Sequence, residues 1–286
     1  MNPITFSFNI IQDLKLMLGY GFMLHAFEAG TIVAIIAGIV GYFVVLRRSS
    51  FAAHALSHIG FAGAAGAVLM GVNPIFGLLV FTSSGGIIMA LLERKAASRD
   101  VEIGTVLAFM LGLGVLFISL YSGYATEAYS LLFGEILGIS SANVTITLVA
   151  GLVILLAVSL IYHPLLFSSL DEDVAEAKGL SMIWIGILFM LLVAVATSIA
   201  VQVVGVLLIF ALMVTPAAIA MRLSKKPFRG MMISVAIALL VTWFGLFVSF
   251  YEPYPVSFFI ASAVFLLYLL TRGLQKITNF SLTERK

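Results

Sequence analysis

Phe51-Ala-Ala-His54-Ala-Leu-Ser57-His58-Ile-Gly60-Phe-Ala-Gly63-Ala-Ala-Gly66 is a run of small and apolar residues interrupted by two imidazoles and one hydroxyl. At 3.6 residues per helical turn, His54 and His58 lie one above the other on a single face, where both can bind the same thing. What that pairing means depends on the solvent around the helix.

Composition identifies that solvent as lipid. Of 286 residues, 62% are hydrophobic and 10% charged, with a mean hydropathy of +1.19; soluble domains carry charge on roughly a quarter of their residues. The chain reads as an integral membrane protein of the all-α class, a polytopic transmembrane helix bundle. It contains no cysteine, so disulfides, thiolate metal sites and iron–sulfur clusters are excluded, and any metal must be held by His, carboxylate, carbonyl or water. Asp13 and Lys15 interrupt the N-terminal apolar stretch, so no cleaved signal peptide is read there.

A membrane-crossing helix needs about 20 apolar residues. Such stretches fall at 26–46, 50–71, 74–92, 103–121, 144–163, 182–200, 203–222, 230–250 and 256–271. Nine spans are expected, with eight or ten left open because Ile183 to Met221 is weakly punctuated and residues 1–23 form an interfacial or short extra helix. The expected organisation is an external N-terminal segment at 1–25, a permease domain at 26–272 and a cytoplasmic tail at 273–286.

Lys and Arg near span ends favour the cytoplasmic side. In the nine-span arrangement Arg47, Arg48, Arg94, Lys95, Arg99, Lys178, Arg222, Lys225, Lys226, Arg229, Arg272, Lys276, Arg285 and Lys286 share one side, leaving Lys15 alone on the other. The N-terminus is therefore expected outside and the C-terminus in the cytoplasm, in the cytoplasmic (inner) membrane. This asymmetry accounts for the net charge of +2 without a nucleic-acid partner. The outer connections carry Glu127, Glu135 and Glu252, a mildly acidic mouth that favours cations.

In lipid, ionisable groups at membrane depth are rare and mark a pathway by default. At ~1.5 Å per residue His54 stands about 6 Å, and His58 about 12 Å, above the start of the second span. The glycines and alanines that follow let neighbouring helices approach closely, which places this span inside the bundle. Each imidazole could simply donate to a neighbouring carbonyl. Two at this spacing, with Ser57 between them, point to a cation path, and neutral imidazole suits zinc, copper, iron or nickel, with manganese tolerating mixed nitrogen and oxygen ligands.

These residues carry a family resemblance. Val45-Leu-Arg-Arg-Ser-Ser-Phe51 leading into His54-Ala-Leu-Ser57-His58, Glu102-Ile-Gly104, Leu132-Phe-Gly134-Glu-Ile-Leu-Gly, and the Gly205-to-Thr215-Pro216-Ala-Ala span resemble the manganese/zinc-type permeases of ATP-binding-cassette importers, in order and spacing over residues 26 to 270. In that family the first ligand position is Asp, in a D-x-x-S-H pattern; here it is His54. The exchange of a hard oxygen for imidazole disfavours manganese relative to zinc and makes occupancy more sensitive to pH.

The resemblance implies a homodimer with one path at its axis, cytoplasmic ATPase subunits and an external solute-binding protein that delivers the metal. The transported divalent ion, zinc or manganese with iron as a further candidate, is cargo, and no permanently bound cofactor is expected. The chain has no G-x-x-x-x-G-K-[ST] phosphate loop, so ATP hydrolysis belongs to another chain. A permease for a metal chelate such as a siderophore is the alternative. An intramembrane metalloenzyme is remote, because no Glu adjoins either central histidine as it does in H-E-x-x-H.

Secondary candidates follow. In the connection 163–181, Asp171, Glu172, Asp173 and Glu176 followed by Gly179 carry helix start and stop signals; a short helix there could dock on an ATPase or be a solvated acidic surface. Arg222 to Arg229 reads as a positive-inside loop. Glu28 is a candidate for the external vestibule, with His25 interfacial beside it. Glu102 is a pathway or capping residue at the start of the fourth span. Thr215 and Pro216 could open a helix and free a carbonyl, or simply kink it.

Overall fold

The computed structural model describes residues 10–92, 99–121, 134 and 136–283. Among the described residues there are eleven helices: α1 (Ile10–Leu18), α2 (Gly21–Leu46), α3 (Ser50–Leu69), α4 (Pro74–Leu92), α5 (Arg99–Leu120), α6 (Ser141–Leu170), α7 (Glu172–Ala177), α8 (Met182–Val204), α9 (Val206–Leu223), α10 (Pro227–Tyr251) and α11 (Val256–Thr283). Nine of them, all but α1 and α7, are long and apolar enough to cross a membrane, as the sequence predicts. The short helix expected before the first span is α1. Arg94, Lys95, Glu127, Leu132, Phe133, Glu135, Arg285 and Lys286, which figure in the sequence reading, lie outside the described residues.

Hydrophobicity does not sort these helices into inner and outer ones, because lipid and protein interior are equally apolar; small residues do. The α3 window is 78% buried and that of α5 only 11% buried. α3 reaches its central position through its glycines. A Cβ on Gly63 would lie 2.2 Å from the Gly77 carbonyl oxygen, and one on Gly77 would lie 2.0 Å from the Gly63 carbonyl oxygen, so α3 and α4 cross backbone to backbone. The other side of α4 meets α8, where the fully buried hydroxyls of Thr82 and Ser198 are 2.7 Å apart. α3 also packs on α5, α8 and α9, while α2 packs on α6, α8, α9 and α10. α5, α6 and α11 turn most of their surface outward.

Two junctions matter for the site. A single residue, Gly205, joins α8 to α9 with φ 84° and ψ 163°, a region open essentially to glycine alone; Gly134 (φ 77°) seats against this junction. The second is the turn from α2 to α3. It closes by bonds from the Arg48 N–H to the Val45 carbonyl (3.1 Å) and from the Ser49 N–H to the Val44 carbonyl (2.8 Å), the Schellman pattern in which the left-handed residue is usually glycine. Here it is Arg48, at φ 56°.

α6 is longer than its sequence pattern indicates. The expected span ended near His163, before Pro164, yet the helix runs through Pro164 to Leu170. Proline removes one N–H from the ladder, but buried Leu165 and Ser168 hold the following turn against the bundle. At 1.5 Å per residue the 30-residue helix is about 45 Å long, against a hydrocarbon core of roughly 30 Å. α11 likewise continues as helix into the segment expected as a tail. Its Gln275 exchanges hydrogen bonds with Arg222 at the end of α9, Arg222 Nη1 to Gln275 Oε1 at 3.2 Å and Gln275 Nε2 to the Arg222 carbonyl at 3.0 Å.

Candidate metal path at the paired histidines

His54 and His58 occupy the second and third turns of α3, both half-buried, with ring centroids 4.7 Å apart and planes at 85°. The i, i+4 spacing does this alone, because every Cβ on a helix leans toward its N-terminus and stacks the later side chain over the earlier one. On its other side the His54 ring meets Phe210 of α9, centroids 4.8 Å apart at 60°. The buried Nδ1 of His54 has no hydrogen-bond partner among the described residues. A buried polar atom left unsatisfied is unfavourable by about 1–3 kcal/mol, and a metal ion or the proton of a bound water would satisfy it. No described carbonyl occupies this nitrogen.

Ser57 is fully buried, and its hydroxyl donates to the His54 carbonyl at 2.7 Å. That bond keeps its proton on its own helix and leaves its lone pairs for another donor or ligand. No third His, Asp or Glu joins the pair to form a group of three metal ligands among the described residues. A tetrahedral metal therefore needs two further ligands from water, backbone or a second copy of the chain.

The remaining candidates are spread over the fold. Glu28 faces a separate cavity of about 950 Å³ between α1, α2, α6 and α10, whose lining includes His25, Thr31, Thr145 and Trp243 but neither paired histidine. Trp243 Nε1 donates to Thr31 Oγ1 there at 2.9 Å. Glu102 is half-buried in the first turn of α5, where a helix N-terminus favours a carboxylate. Thr215 and Pro216 lie five and six residues beyond Phe210 on α9, which continues through the proline to Leu223. Phe210 itself is not among the sequence candidates; an aromatic inside an apolar span carries no signal that separates a site wall from a lipid contact.

The acidic connection forms α7. Asp171 caps it, its Oδ1 accepting from the Val174 N–H at 3.0 Å, and Gly179 at φ 84° ends it through bonds from Gly179 N to the Glu176 carbonyl (2.8 Å) and from Leu180 N to the Ala175 carbonyl (3.1 Å). Ala175 is fully buried and docks the helix, which packs against α6 and α8, while Asp171, Glu172, Asp173 and Glu176 are exposed. Arg47, at the end of α2, reaches the same region. Burial lowers its guanidinium from the ordinary value, Glu172 opposes that shift, and arginine stays cationic regardless.

Among the described residues, eight further helices long and apolar enough to cross a membrane accompany α3, the small-residue helix that carries the paired imidazoles, which is the architecture of a polytopic membrane protein. Over residues 19–273 the chain matches the ABC 3 transport family, and it belongs to that family. It is 30% identical over 238 residues to the manganese transport system membrane protein MntC of Listeria innocua, covering 83% of this chain and 85% of that one. It is 28% identical over 231 residues to the high-affinity zinc uptake system membrane protein ZnuB of Buchnera aphidicola, covering 80% and 88%. The solved structure of PsaBC from Streptococcus pneumoniae in complex with Fab matches with a TM-score of 0.82 at 27% identity, covering 92% of this chain and 95% of that chain. Family membership makes the chain a transport subunit rather than an enzyme.

Proposed function

We propose that the chain is the membrane subunit of an importer for a divalent transition-metal ion, zinc or manganese, and that the ion passes His54 and His58. The observation that carries this reading is the pair itself, two imidazoles edge to face on the most enclosed span, one with a buried nitrogen that has no partner among the described residues. Two imidazoles favour zinc over manganese, and a site with only two side-chain ligands holds an ion loosely enough to release it. The names of relatives that carry manganese or zinc support the cargo class.

The rest of the assembly follows from the same reading. A second copy of the chain supplies another pair across a shared path. An external binding protein delivers the ion, and cytoplasmic ATPase subunits dock at the exposed acidic helix α7 through Asp171, Glu172, Asp173 and Glu176. Gly179 ends that helix sharply, and its docking through Ala175 leaves the acidic face turned outward. With the N-terminus outside, α7 and Arg47 share the cytoplasmic end. Ser57 steadies the turn that bears the ligands, and Thr215-Pro216 supplies a carbonyl without its helical N–H partner, that of Leu212, near the path. Glu28 and Glu102 attract the cation at positions away from the pair.

The test is cellular metal accumulation by elemental analysis across zinc, manganese and iron. The host carries the ATPase and binding protein, and wild type is compared with His54→Ala and His58→Ala after membrane insertion has been verified. Loss of one metal in both variants is the expected result. Unchanged accumulation would return both histidines to packing.

A further inference from the structure

Arg47 is placed unlike the exposed basic residues Arg48, Lys178, Arg222, Lys225, Lys226, Arg229 and Arg272. Its side chain turns inward rather than toward solvent. Nη1 donates to the hydroxyl of buried Ser168 on α6 at 3.0 Å, the guanidinium lies 5.2 Å over the centroid of buried Phe189 on α8, and Glu172 of α7 acts on its charge. One side chain at the end of α2 therefore touches or feels every element around the proposed ATPase-docking helix. The neighbouring Arg48 points out and is exposed, so the plain positive-inside role is already filled.

The backbone carries Arg47 directly into the site. Arg48 takes the left-handed conformation (φ 56°), the Ser49 hydroxyl leans toward the Arg47 carbonyl at 3.4 Å, and the Ala53 N–H bonds to the Ser49 carbonyl at 3.0 Å. His54 is the next residue. A non-glycine residue held in the left-handed region persists only where its surroundings over-determine it; here the turn's own bonds to Val44 and Val45 close it, and Arg47 ties that turn to Ser168 and Phe189. Helix α3 thus begins at a turn anchored to α6 and α8 rather than at a free loop.

We propose that Arg47 is the positioning residue that couples movement of α7 to the histidine pair, pinning the α2–α3 turn to the end of α6 and to α8 so that displacement of the docking helix tilts the first turns of α3. This rests on the reading that α7 meets an ATPase. Lysine cannot substitute, because stacking on Phe189 and bonding to Ser168 at once uses a planar group with several donors.

The experiment uses the full transporter in proteoliposomes, with the ATPase and binding protein, and reads metal uptake and ATP hydrolysis together. Arg47→Ala and Arg47→Lys are expected to assemble, to hydrolyse ATP within about twofold of wild type, and to lower uptake per ATP at least tenfold. Ser168→Ala is expected to lower that ratio severalfold, and Arg48→Gly to leave it unchanged. If Arg47→Ala fails to assemble, Ser168→Ala and Phe189→Leu decide. An unchanged uptake-to-hydrolysis ratio, or a parallel fall of both rates in an assembled complex, overturns the proposal. Uptake that survives both His54→Ala and His58→Ala in an otherwise wild-type complex would instead overturn the reading of the histidine pair as the path, and ATPase assembly that survives charge reversal at Glu172 and Asp173 would overturn the docking reading.

Discussion

Gly63→Ala puts the smallest possible side chain into the closest crossing around α3. The added Cβ would sit 2.2 Å from the Gly77 carbonyl oxygen, where such contacts essentially never fall below 3.0 Å. The obstacle is backbone on both sides, so no rotamer relieves it, and α3 and α4 must part by about 0.8 Å. A gap of that size forfeits between a quarter and a half of the dispersion attraction across the contact, and overpacking of this kind destabilises by about 1–3 kcal/mol. We expect about 2 kcal/mol for Gly63→Ala and a similar loss for Gly77→Ala, whose Cβ meets the reciprocal carbonyl at 2.0 Å. The helices need to separate only once, so the double variant should lose clearly less than the sum. Unfolding in mixed micelles, followed through Trp184 and Trp243 on α8 and α10, measures all three. Additive losses, or a Gly63→Ala protein within about 0.5 kcal/mol of wild type, would refute the crossing as the structure describes it.

Three further outcomes are expected. His54→Asp replaces one imidazole with a hard oxygen donor and should shift accumulation from zinc toward manganese in competition uptake; an unchanged preference would mean that position 54 does not set it. Proton and metal compete for the same imidazole nitrogen, so lowering external and internal pH together from about 7.5 to about 5.5 should reduce wild-type uptake, and His54→Asp should show a shallower fall across that interval. Gly205→Ala forces a side chain into φ 84°, ψ 163° and should destabilise by on the order of 1–3 kcal/mol, read as a lower unfolding midpoint.

Much of the molecule is determined by the sequence alone, because in lipid a backbone must satisfy its own hydrogen bonds and long apolar runs can only be helices. Nine spans, the short helix before them, the Asp171-to-Gly179 helix and the stacking of His54 on His58 all follow from local spacing, which needs no knowledge of neighbours. Span ends are less legible: Pro164 reads as a stop, but α6 passes through it because buried Leu165 and Ser168 stabilise the next turn. Which helices lie inside was legible only on α3, through its glycines, since lipid-facing and core-facing apolar residues are chemically alike.

Relations between distant residues belong to the tertiary structure. Phe210 covers His54 from 156 positions away, Arg47 turns inward to Ser168 and Phe189 instead of outward like Arg48, and Glu28 falls in a cavity apart from the histidine pair. None of these has a local signature. Each depends on the angle at which one helix crosses another, and those angles are set by where two backbones can touch, as they do at Gly63 and Gly77.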